Sequence, residues 1–129
     1  MKRLFGAAAV AVVGVAVGAG GMHALHAQSK LPVITVSEIT VTDKKAYDEW
    51  LPDVRKRIAD SGGRLLAGGF DKTTTIMGEP PPNRVVLFQY DSVDAVKAWW
   101  KDAGDSDVTA AEKFGTKFRI YTVDTIPPK

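Results

Sequence analysis

Three side chains in one short stretch have the types needed for proton transfer: Glu38, Asp43 and Tyr47. Two carboxylates and a phenol close in sequence can accept, donate or relay a proton once a fold brings them to a cleft. Further along, Arg64 and Arg84 bracket the pair Gly68-Gly69. Guanidinium forks recognise anions, and glycines let backbone approach a ligand closely. Glu38, Asp43 and Tyr47 are therefore the catalytic candidates, and Arg64, Gly68, Gly69 and Arg84 the ligand-binding candidates. Each has a plainer role. Asp43 has the type and place of a helix cap, and Tyr47 can bury its ring in the core. The arginines can pair with surface carboxylates, and the glycines can form a bulge. Glu38 either points to solvent or faces a cleft.

The residues that are missing narrow the chemistry. The chain has no cysteine, and its two histidines are His23 and His26. Both lie in a segment that reads as a secretory leader. Lys2-Arg3 opens it, Leu4 to Gly21 is uncharged and rich in Ala, Val and Gly, and Leu25-His26-Ala27 ends in a small residue. Cleavage is expected after Ala27, with Ala24 as the alternative. An uncleaved membrane anchor is the rival reading, but the Gly and Ala content makes the run only weakly apolar. Without the leader there is no His or Cys for a Ser-His or Cys-His nucleophile system, a typical zinc site or a His-ligated haem. No metal and no cofactor are expected, and the location is periplasmic or secreted.

Charge points the same way. Lys2 and Arg3 are two of 17 Lys and Arg, and all 15 Asp and Glu follow Ala27. The remaining domain is formally neutral, so its composition argues for no nucleic-acid partner. No disulfide can staple it, and ~100 residues must hold by packing, helped by oligomerisation.

The elements that must position the candidates follow from pattern. Residues 28–32 read as a tether. Val33 to Val41 is rich in β-branched residues and predicts a strand. Thr42 or Asp43 caps a helix whose apolar stripe is Tyr47, Trp50, Leu51, Val54 and Ile58, with Pro52 inside it and Gly62-Gly63 ending it. Arg64 to Phe70 is a second strand. A proline-rich excursion follows, in which Thr73 to Met77 is expected as a short ribbon. Arg84 to Tyr90 is a third strand, dense in Val, Leu and Phe, and expected to be central. Asp91 or Ser92 caps a second helix reaching Lys101. Asp102 to Ser106 reads as a polar break, with Asp107 capping a further short helix. Phe118 to Asp124 is the last strand, and residues 125–129 are a tail.

Strand, helix, strand, strand, helix, strand is the ferredoxin-like pattern, an α+β fold with an antiparallel sheet and helices on one face. The other face needs a cover, because alternate positions such as Val86, Phe88 and Tyr90 are also apolar. A second copy is the simplest cover, so a homodimer is expected. Trp99 and Trp100 point about 100° apart on a helix. One of them faces the core, and the other is expected at the dimer contact.

Several motifs together resemble the domain of unknown function 1330 family: Val41-Thr42-Asp43 with Tyr47, Gly62-Gly63-Arg64, Leu66-Ala67-Gly68-Gly69, Gly78 to Val86, and Lys117 to Tyr121. The likeness covers residues 33–124. It implies a ferredoxin-like fold of the dimeric α+β barrel group, whose wider relatives include cofactor-free monooxygenases, isomerases and haem-dependent enzymes. Many members carry an arginine just before the glycine pair. Here Ala67 stands at that position, which leaves Arg64 or Arg84 for an anion. Two functions follow as expectations. One is a cofactor-free enzyme or binder acting on a small organic molecule. The other is a non-catalytic periplasmic dimer that binds a metabolite or a protein.

Overall fold

The computed structural model describes residues 31–129. The expected leader, both histidines and most of the tether lie outside the described residues.

The order is β1 (Val33–Val41), α1 (Lys44–Asp60), β2 (Arg64–Phe70), β3 (Arg84–Tyr90), α2 (Val93–Trp99), α3 (Asp105–Ala111) and β4 (Gly115–Asp124). The strands form one antiparallel sheet in the order β2-β3-β1-β4. This is the ferredoxin-like α+β arrangement, and the sheet stays open within one chain.

Local chemistry fixes the helix ends. The Asp43 carboxylate accepts from the Ala46 amide at 3.1 Å, and the Ser92 hydroxyl accepts from the Ala95 amide at 3.1 Å. Each satisfies an amide that the first turn leaves free. At the end of α1, Gly62 turns left-handed at φ 91°. Its amide donates to Ala59 O, and the Gly63 amide reaches back to Ile58 O at 2.9 Å. This paired closure needs a residue without Cβ strain.

The second helical region differs from expectation. Asp102 to Ser106 is not a break. Trp100–Gly104 is a π-helical turn that joins α2 to α3 without interruption. Asp107 does not cap a helix, for it lies inside α3 and is buried. No ribbon forms at Thr73 to Met77, which is exposed loop. Ile76 and Met77 there are almost wholly exposed. The base of that arm is pinned: Asp71 N donates to Asn83 O at 2.7 Å, and the Asn83 side chain bonds both Val41 N and Val41 O.

Two irregularities shape the sheet edges. On β2 the extra residue is Leu66, between the pairs Leu65–Phe88 and Ala67–Leu87. On β4, Lys117 and Phe118 together oppose Ile39, and Lys117 takes the left-handed conformation at φ 54°. Such bulges re-aim neighbouring side chains. The β4 bulge explains why the strand begins at Gly115 and not at Phe118: pairing resumes beyond it at Thr116 and Gly115.

Pleat parity sets what each face carries. Arg84, Val86, Phe88 and Tyr90 are buried and form the set that packs on the helices with Val96 and Trp99. The open face is therefore not the one that holds Val86, Phe88 and Tyr90. It holds their alternates Val85, Leu87 and Gln89, paired with Glu38, Val36 and Ile34. Arg119, Tyr121 and Val123 complete it on β4.

The helix-side core is split in two. Val33, Val54, Ile58, Phe88, Tyr90 and Trp99 belong to one cluster. Ile39, Val41, Tyr47, Ala111 and Phe114 form the other.

A candidate ligand cavity

A cavity of about 870 Å³ draws its walls from both clusters, from Ile58, Phe88 and Trp99 on one side to Ile39 and Ala111 on the other. Its other borders are α2, the π turn, α3 and β4. The indoles of Trp50, Trp99 and Trp100 all border it. Trp99 is buried. Trp100, expected at a contact between copies, stands half-exposed at the cavity and packs over Gly104. A Cβ on Gly104 would lie 2.4 Å from the indole, so the glycine is what admits the ring.

Arg84 is the most unusual group at this site. It is the first residue of β3, and parity with Val86 and Phe88 turns it inward, leaving it 3% exposed. Its Nη1 donates to the Ser37 hydroxyl at 2.9 Å. Its guanidinium lies 5.5 Å from the Trp50 ring centre and 5.8 Å from that of Tyr47. Ring faces carry partial negative charge and favour a cation there. Its Nε has no hydrogen-bond partner, and neither have the indole nitrogens of Trp50 and Trp99. Burial pushes the Arg84 guanidinium below its ordinary value. The Tyr47 side chain opposes that shift, and Arg55 adds to it.

The carboxylates bordering the cavity are already matched. Glu38 is 7% exposed and accepts from Arg119 Nε at 2.5 Å. That bond holds the Arg119 guanidinium above its ordinary value. Glu38 alternates with Ser37 and Ile39, so its side chain and that of Arg119 lie on the open face, while its stretch of β1 borders the cavity. Asp107 is gripped by Arg57 from α1. On the helix side the border thus carries Arg84, Lys97 and Lys101 against Asp107. Among the described residues no three His, Cys, Asp or Glu side chains converge to hold a metal ion.

The residues singled out in the sequence are scattered by the fold. Glu38 and Arg84 border the cavity. Tyr47 is 2% exposed in the second core cluster, under the Arg84 guanidinium. Asp43 is an exposed helix cap. Arg64 is exposed on edge strand β2 and donates to Gln89 Oε1 at 3.3 Å. Gly68 and Gly69 serve β2 itself: at φ 99°, a Cβ on Gly68 would lie 2.0 Å from Val85 O. Ser37, Lys97, Lys101 and Arg119 had not been singled out as site residues, and Asp107 had been read only as a helix cap. The Glu38–Arg119 pair spans 81 residues and Arg57–Asp107 spans 50, so no local spacing reveals either.

The chain matches the domain of unknown function family DUF1330 over residues 32–126, and it belongs to that family. It is similar in structure to a protein of unknown function from Rhodopseudomonas palustris. The TM-score is 0.57 at 14% identity, covering 84% of this chain and 94% of that one. The methylated form of that protein gives 0.61 at 14% identity, covering 84% and 92%. These likenesses concern the fold. No curated protein matches the chain.

Proposed function

We propose that this member of the DUF1330 family is a dimeric binding protein that holds a small, mostly apolar organic molecule in the cavity between its sheet and helices. The observation that carries this reading is the cavity itself. It is about 870 Å³, walled by three indoles, Phe88 and aliphatic side chains, with few polar groups converging. Size and lining are those of sites that bury a small ligand. Binding is favoured over turnover because Asp107, the carboxylate on the helix side of the border, is engaged by Arg57, and Glu38 is held by Arg119 on the opposite face. The dimer is supported by the open sheet face, where Ile34, Val36, Val85, Leu87 and Val123 meet no helix. The leader-like segment 1–27 supports a role outside the cytoplasm.

The test is a thermal-shift screen of the protein against aliphatic and aromatic metabolites, with indole emission read in parallel. A ligand should raise the melting temperature and change the emission of the three indoles. A screen in which neither signal moves would sink the reading. Protein recovered from a periplasmic extract should begin at Gln28.

A further inference from the structure

We infer that the occupant of this cavity is an organic acid whose carboxylate pairs with the buried Arg84 guanidinium while its apolar body lies among Trp50, Trp99 and Trp100. The inference rests on the reading of the cavity as a ligand site.

Arg84 is a permanent cation with 3% exposure, and a buried charge without a counter-charge is costly. Among the described residues it makes no ion pair. The four ion pairs there are Lys44–Asp48, Lys56–Asp60, Arg57–Asp107 and Arg119–Glu38. The two carboxylates that border the cavity belong to two of these, so the protein supplies no spare anion at this place.

The guanidinium is also only partly used. Ser37 occupies the Nη1 corner, and Nε is unpartnered. That leaves an incompletely used guanidinium at the cavity border, and a carboxylate is the anion such donors favour. The adjoining rings of Trp50 and Tyr47 both lie against the guanidinium and limit its movement. Lys97 and Lys101 add positive charge at the border, which draws an anion in. Most of the rest of the lining is apolar and solvates a strongly polar body poorly. A monoanion with a hydrocarbon or aromatic body meets both conditions. A phosphate dianion would need more donors than one partly used arginine presents.

The test uses octanoate and 3-phenylpropionate against octanamide and 3-phenylpropanamide, titrated calorimetrically into the full protein. The acids should bind about ten- to a hundredfold more tightly than the amides, the range for a hydrogen bond to a charged group. Arg84→Met should bring the acids down to the amide level. The side-chain Nε–H resonance of Arg84, followed by NMR in the wild-type protein, should move on addition of octanoate. That signal decides the matter even where Arg84→Met does not fold. If acids and amides bind equally, or the resonance stays in place while octanoate binds, the cavity reading stands and the carboxylate inference falls. If neither class binds and the metabolite screen is also silent, both fall.

Discussion

Arg57 on α1 closes its guanidinium on the buried carboxylate of Asp107 on α3, tying together two helices that pack side by side on the sheet. Asp107 is 8% exposed at its side chain and Arg57 38%. The pair lies between a surface bridge and a fully desolvated one. Asp107→Ala should lower the unfolding free energy by about 2 kcal/mol, measured by urea denaturation. A loss within error would show that the pair only decorates the helix contact.

Gly68 is the position where β2 tolerates no side chain. A Cβ would meet Val85 O at 2.0 Å in a backbone conformation that L-residues avoid. Gly68→Ala should cost about 3 kcal/mol or more, combining backbone strain with a clash that has no flexible partner. Gly69→Ala should cost less, because its nearest neighbour is the flexible Lys72 side chain at 3.3 Å. Denaturant midpoints of the two variants in that order support the assignment, and the reverse order contradicts it.

Tyr90 makes stability fall at alkaline pH. Burial pushes its hydroxyl above the ordinary value, and the Ser61 hydroxyl at 2.5 Å opposes that shift. The unfolded chain releases this proton near pH ~10, while the folded protein keeps it longer. The contribution is therefore whole below about pH 10 and is lost as pH rises through the folded value. Tyr90→Phe should cost about 1 kcal/mol at neutral pH. It should also flatten the decline of melting temperature between roughly pH 9 and 11. An unchanged alkaline slope would assign the decline to other groups.

The open face of the sheet gives the oligomer prediction. Leu87 sits in its middle, between Val36 on β1 and Ala67 on β2. The wild-type protein should run as a dimer in light scattering after size exclusion, and Leu87→Lys as a folded monomer, because a desolvated lysine has no partner there. A wild-type monomer would remove the second copy as the cover.

Much of the frame was legible because its signals are local. Asp43 and Ser92 cap helices within three residues of themselves, Gly62 turns the chain out of α1, and the β-branched run of β1 ends where the pattern ends. The faces of β3 were not legible. Val85, Val86, Leu87 and Phe88 are all apolar, so composition cannot say which alternate set meets the helices. The site was partly legible. The type of Arg84 suggested an anion. Its burial, its lack of a carboxylate and its place over Tyr47 and Trp50 depend on contacts distant in sequence. Asp107 looked like a cap because an Asp beside a glycine-containing polar run usually is one.

The π turn at Trp100–Gly104 has a consequence for how this chain tolerates length changes. A π turn holds one residue more than the α-helical turn it replaces. The wider turn absorbs that residue, so α3 keeps the rotational phase of a plain α-helix one residue shorter. Removing one residue of the segment would let the two helices run on as plain α-helix with Asp107 still turned to Arg57 and Ala111 still on the core. Closing the turn to α-helical pitch at full length would instead rotate α3 by about 100° and part both contacts. The segment therefore accepts the loss of one residue more readily than the gain of one.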